Sequence, residues 1–291
     1  MRPRFGVQFT SEEGPFFMTR FGQHGTIAGN EHAHRATREV FMGTLRDILA
    51  TRHGIDITEQ QEQILFDDLH AIMEINKTMN LTRILSEEDG MVLHLEDSVL
   101  GLPYVNDAPV GLYGDLGTGG GFPGIPLCVL TGRETLLVDS VKKKVRALEP
   151  VAEELGVGDR LSTYGGRIED LALERPREFS VLTARALSSL GSLLELASPL
   201  LRKGGRLVCY KAQPTEEELE IAFGIMKPLG FELVCDDSHE LSDGSTRRIF
   251  VFQKAANPRI ALPRRVGMAQ RNPLTPADFA QKSGQKSKKS R

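Results

Sequence analysis

Ten residues carry the densest chemical signal in this sequence: Asp115-Leu116-Gly117-Thr118-Gly119-Gly120-Gly121-Phe122-Pro123-Gly124. Five glycines fall within eight positions, after an apolar run that reads as a strand and before a Pro-led helical start. Glycines allow positive φ and let backbone approach a ligand closely. The helix start beyond is expected to offer free N–H groups. Ligands of open α/β sheets bind at the carboxyl ends of strands, where such a loop lies. Asp139 ends the next strand, twenty-two residues after Gly117, and an acid there can accept hydrogen bonds from both hydroxyls of a ribose.

The loop form narrows the ligand. A dinucleotide fingerprint needs a small residue at the sixth position from Gly117, and Phe122 stands there. A P-loop closes on Gly-Lys-Ser/Thr, and the loop has no lysine. Asp139 would serve NAD as well as another nucleoside, so it does not decide alone.

The elements around the loop alternate. Strands are expected at 111–116, 135–138, 161–164, 179–184, 206–211, 231–235 and 248–253. Helices are expected from Pro123, over 142–155, over 188–201 and over 216–229, with a Gly204-Gly205 turn ahead of the fifth strand. Alternation of this kind predicts an α/β fold with a mostly parallel sheet covered on both faces. The last two strands, joined through Asp243-Gly244 without a helix, predict an antiparallel edge. Upstream, Thr58 with Gln61 makes a capping-box pattern. Ile64, Leu65, Leu69, Ile72, Met73 and Ile75 then form one apolar helical stripe, and a second helix is expected over 86–99. The segments are a poorly ordered extension over 1–41, a helical cap over 42–100, a catalytic domain over 101–255 and a basic tail over 256–291.

Several polar residues have two readings each. His94 and Asp97 share a helix face; they could bind a metal or act as acid and base, or simply fix the cap over the cleft. Asn80 and Arg83 read as a helix end or as RNA contacts. Lys142, Lys143, Lys144 and Arg146 are a solvated face or a phosphate-positioning patch. Lys211, at the end of its strand, could meet a phosphate.

Composition is that of a soluble globular chain: 40% hydrophobic, 26% charged, net charge −3. Charge is uneven, with nine Lys or Arg and one acid after Ala256, a distribution suited to phosphate. Cys128, Cys209 and Cys235 have no ligand spacing and no disulfide pattern, so neither a metal nor an oxidising compartment is expected. No apolar run is long enough to span a membrane, and the start lacks a secretory apolar region.

Further segments accompany the loop in order: Asn76-Lys77-Thr78-Met79-Asn80-Leu81-Thr82-Arg83, then His94-Leu95-Glu96-Asp97-Ser98, then Asp139-Ser140, then Arg185-Ala186-Leu187. With the loop they resemble the bacterial small-subunit ribosomal RNA methyltransferase G family, from about residue 58 to about 267. The long start and long basic end depart from that pattern. The resemblance implies a class I S-adenosylmethionine-dependent methyltransferase fold, Rossmann-like, with an N-terminal helical cap. It implies S-adenosyl-L-methionine as cofactor and methyl transfer to guanosine N7 in 16S rRNA of the small ribosomal subunit, by a cytoplasmic monomer without metal or membrane.

On the residues themselves, the likeness implies that Gly117 and Phe122 line the cofactor, beside Asp115, Gly119 and Asp139. Ile168 and Glu169 would contact the adenine, and Arg185 would face cofactor or target nucleotide. Arg264 and Arg265 belong to a basic C-terminal stretch suited to RNA, with Asn80, Arg83, Lys142 and Lys211 as further RNA candidates. Guanine N7 carries an in-plane lone pair, so no general base is expected and catalysis is alignment plus electrostatics. The other possibilities are a class I methyltransferase acting on a small molecule or protein, and a non-catalytic nucleotide-binding regulator.

Overall fold

A computed structural model describes residues 44–84 and 86–280. The expected extension over 1–41 and the lysines from Lys282 onward lie outside them. Seven strands make one sheet: β1 (Tyr113–Leu116), β2 (Thr135–Asp139), β3 (Leu161–Gly165), β4 (Phe179–Arg185), β5 (Leu201–Lys211), β6 (Phe231–Glu240) and β7 (Thr246–Lys254). Their order is β3-β2-β1-β4-β5-β7-β6. The first five are mutually parallel, and β7 runs antiparallel to both β5 and β6. The apolar runs of β1, β2 and β4 are buried along nearly their whole length, as parallel strands covered on two faces must be. This is the mostly parallel α/β architecture expected from the sequence. The antiparallel departure falls at the expected edge, with β7 slotted inside β6.

The winding reverses between β1 and β4, which are neighbours in the sheet but far apart in sequence. A crevice opens at such a switch point, beyond the carboxyl ends of the strands. The residues that leave those ends are Gly117 after β1, Asp139 closing β2, Gly166 after β3, Arg185 closing β4 and Lys211 closing β5. One set of chemically distinct residues is thus delivered to one edge.

Three elements differ from expectation. The helix predicted to reach Leu201 ends at Ala197, and β5 already pairs at Leu201. Gly204 and Gly205 do not close a turn before the strand. They sit where the register skips from Phe179↔Leu201 to Val181↔Arg206, with Gly204 at φ 83°, so the glycines form a bulge within it. β6 also runs on to Glu240, past a second register skip between Leu233 and Cys235.

Helix α1 (Glu59–Met79) carries both halves of the capping box that Thr58 and Gln61 predict. Its stripe of Leu65, Leu69 and Ile72 is fully buried, and Ile72 packs beside Gly120 of the glycine loop. A helical run follows, with Glu87–Gly90, Met91–Glu96 and Asp97–Val99 in succession. After β1 come α2 (Gly124–Thr131) and α3 (Lys142–Glu154), which share a buried cluster with α1, and α4 (Ile168–Glu174), α5 (Leu190–Ala197) and α6 (Glu216–Met226), which belong to the other cluster. After β7 the chain does not leave the domain: Ala269 and Leu274 are buried in the cluster that holds α5.

Asp68 on α1 is fully buried and neither carboxylate oxygen has a hydrogen-bond partner. Burial raises its pKa well above the ordinary 3.8. A folded-state pKa above the unfolded one gives stability that is complete below the unfolded value and declines as pH rises. Asp68→Asn removes that titration. The variant is therefore expected to gain on the wild type between pH 4 and pH 8 in urea melts; two parallel pH profiles would remove the assignment.

Candidate active site

The glycine loop is held by its own donors and acceptors. Gly117 and Thr118 N–H groups donate to Val138 O at 2.8 and 3.0 Å, and Gly121 N–H donates to Thr118 O at 2.9 Å. Gly119 N–H donates to Asp139 Oδ2 at 3.1 Å. At the start of α2, Gly124 N–H donates to Asp115 Oδ2 at 3.1 Å and Ile125 N–H to Gly121 O at 2.7 Å. The free helix-terminal donors expected from the sequence are therefore engaged, Gly124 N–H by the Asp115 carboxylate and Ile125 N–H by Gly121 O. Thr183 Oγ1 donates to the other Asp115 oxygen at 2.7 Å. Burial raises the Asp115 pKa, against the lowering by these hydrogen bonds.

Above the loop lies a cleft of about 250 Å³. Gly117 and Gly119 form its floor, Asp139 and Ser140 one wall, Ile168 and Glu169 another, with Ala186 and Leu187 opposite. Gly117 and Gly119 adopt φ of 73° and 58°, and a Cβ on Gly119 would meet nothing closer than 3.9 Å. That bare surface lets a ligand lie on backbone. The Asp139 carboxylate spans Gly119 N–H and, at 2.8 Å, Val141 N–H, so its remaining lone pairs face the cleft rim.

A second cleft, of about 410 Å³, adjoins the first across Ala186, which lines both. Its walls include His94, Asp97, Arg185, Tyr210, Lys211 and Arg247. Asp97 is 1% exposed and takes Arg185 Nη1 at 2.8 Å and Arg247 Nε at 2.6 Å. Arg185 Nη1 also donates to Leu93 O at 3.0 Å. Its other terminal nitrogen reaches His94 Nδ1 at 3.4 Å. With Nδ1 accepting, Nε2 carries the hydrogen and donates to Thr82 Oγ1 at 2.8 Å. Burial, and then the Arg185 charge, pull the His94 pKa down to about 3. The ring is neutral at physiological pH and stacks on Phe122 at 4.3 Å.

The family model for rRNA small subunit methyltransferase G (GidB) matches residues 61–231. A ribosomal RNA small subunit methyltransferase G of Streptococcus agalactiae serotype V is 31% identical over 227 residues, covering 76% of this chain and 95% of the relative. The protein of that name from Streptococcus suis is 31% identical over 241 residues, covering 81% and 99%. This chain belongs to the rRNA small subunit methyltransferase G family. Among solved structures, a geranyl diphosphate methyltransferase in complex with SAM aligns at 13% identity over 55% of this chain and 86% of its own, with a TM-score of 0.46.

The cofactor of this methyltransferase G chain is S-adenosylmethionine, and the first cleft has the chemistry to hold it. Asp139 offers a ribose acceptor, Ile168 an apolar contact for a purine, and the loop a bare backbone surface with six amides already donated. A cationic sulfonium suits such a floor better than a phosphate. Among the described residues no cluster of His, Cys, Asp and Glu is arranged for a metal.

Of the eight residues expected at the cofactor, Gly117, Gly119, Asp139, Ile168 and Glu169 share the first cleft. Asp115, Phe122 and Arg185 do not line it. Asp115 lies beneath the loop and fixes its shape, since a carboxylate inside a parallel sheet needs the donors found there. Phe122 is 4% exposed and turns toward His94 of the cap. Arg185 faces the second cleft, drawn there by Asp97. On the RNA side, Asn80, Arg83, Lys142 and Arg265 are exposed. Lys211 is paired with Glu218 at 2.7 Å, and Arg264 makes a bidentate pair with Glu195 at 2.7 and 2.6 Å. Arg247 and Gln270 line the two clefts and carry no local motif. The only sequence hint for Arg247 is a basic pair on a strand that closes an acid-containing sheet edge.

Proposed function

We propose that this chain transfers the methyl group of S-adenosylmethionine to N7 of a guanosine in 16S rRNA of the small ribosomal subunit. The observation that carries this is two clefts meeting at Ala186, one floored by Gly117 and Gly119 beside Asp139, the other lined by Arg185, Lys211 and Arg247 and without a free general base. The cofactor supplies an activated methyl on a sulfonium. The chain's own residues do the rest. Gly117, Gly119, Asp139 and Ile168 seat the nucleoside half. Arg185 and Arg247, held by Asp97, shape the acceptor cleft and can meet the phosphates that flank an extruded base. His94 is neutral and has both ring nitrogens engaged, so it is unsuited to removing a proton. Guanine N7 has none to remove, and alignment is the dominant requirement.

Asn80, Arg83, Lys142 and Arg265 serve as RNA contacts: they are exposed, and polar groups on a surface of this kind position a nucleic-acid backbone without reading sequence. The chain works as a monomer on this reading, with the cytoplasm as its compartment. Among the described residues no helix is long and apolar enough to cross a membrane.

The test is transfer of isotope-labelled methyl from the cofactor to small subunits, free 16S rRNA, tRNA and protein. Label is expected on one 16S guanine, with the chain cleavage after reduction that marks N7 methylation. Label confined to tRNA, to protein or to another base position ends the proposal.

A further inference from the structure

The segment after β7 returns to the first cleft, which Gln270 helps to line. Gly267 N–H donates to Glu169 Oε1 at 2.6 Å, beneath a carboxylate that is only 5% exposed. Ser192 Oγ on α5 donates to Ala269 O at 2.6 Å, and Ala269 is buried. Arg264 grips Glu195 of α5 with two nitrogens and donates to Asn272 O at 2.9 Å, closing the segment on itself. Between these anchors Gln270 lines the cleft, next to the Ile168–Glu169 wall.

We infer that residues 261–272 are a strap that forms the fourth wall of the cofactor cleft, with Gln270 binding the nucleoside half of S-adenosylmethionine and Arg264 as its positioning clasp. The inference rests on the cleft being the cofactor site. A side-chain amide offers both a donor and an acceptor, the pair a purine edge or a ribose diol requires. The Arg264–Glu195 pair is planar, bidentate and largely shielded, the geometry in which an ion pair holds a segment in place. Glu169 then has two tasks, since one oxygen holds the strap while the other, 3.8 Å from Arg167 Nε, faces the cleft wall. Arg264 is a clasp on this account, and the RNA contact of the basic stretch falls to Arg265.

Calorimetric titration of the full chain with S-adenosylhomocysteine tests this. Gln270→Ala is expected to weaken binding by about 3- to 10-fold, the range for one hydrogen bond to a neutral group. Arg264→Ala is expected to weaken it by at least as much, raising KM for the cofactor while kcat at saturation holds. In the double variant the two losses should not add, because an unclasped strap no longer presents Gln270. Wild-type affinity in both single variants, or strict additivity, overturns the strap. A second measurement needs no variant: S-adenosylhomocysteine should slow proteolysis within residues 256–280 of the wild-type chain, and unchanged cleavage also overturns it. Gly117→Val separates the two levels. If it too leaves affinity intact, the cleft assignment fails; if it alone abolishes binding, only the strap fails.

Discussion

Asp97→Ala is expected to lower folding stability by about 3–5 kcal/mol, the cost of breaking a buried ion pair by removing one partner. Asp97 lies 88 residues from Arg185 and 150 from Arg247 in sequence, and its carboxylate meets both. The side chains of Arg185 and Arg247 are only 12% and 13% exposed. Without the acid, two like charges face each other with little water to screen them. The cap and the strands β4 and β7 would lose their shared anchor together. A urea midpoint lowered at unchanged slope is the expected result. A shift equivalent to less than about 1 kcal/mol, the worth of an exposed pair, would show that the triad is solvent-screened.

Gly117→Val is expected to remove cofactor binding, by at least about 100-fold, while unfolding stays cooperative. Gly117 sits at φ 73°, where a β-branched residue is strained by about 1–3 kcal/mol. The strain is the lesser effect. A Cβ there would lie 2.7 Å from Leu187 Cδ1, and Leu187 itself lines the cleft. Relief requires Leu187 to move into the space proposed for the nucleoside, or the loop to abandon its bonds to Val138 O. Calorimetry is the measurement, with near-ultraviolet dichroism as the folding control; wild-type affinity would show that the loop is not the cofactor floor.

The glycine loop, Asp139 and the strand–helix alternation were legible in sequence because each is a local pattern with a single physical cause. A run of positive-φ positions needs glycine, and an acid closing β2 must stand beside the loop that closes β1. What sequence could not show is which way a loop residue faces. Asp115 and Phe122 belong to the motif, yet one points into the sheet and the other to the cap, directions set by Thr183 and His94 far along the chain. Arg264 read as a free cation because Glu195, its partner, lies 69 residues earlier on α5. Arg247 and Gln270 have no neighbours that betray them. Their roles come from β7 lying against β5 and from the returning strap, and both are tertiary facts.

The inward donation of the loop amides has a bearing on inhibition. ATP and NAD both share adenosine with the methyl donor, and both bind glycine-rich loops elsewhere through phosphate. Here a pyrophosphate would find Gly117, Thr118 and Gly119 already donating, and the Asp139 carboxylate standing close by. Such abundant metabolites are therefore poor competitors. With the first cleft as the cofactor site, the expected rival is the demethylated product, which keeps the same nucleoside and loses only the methyl and its charge, so rates should respond to the ratio of donor to spent donor rather than to added ATP.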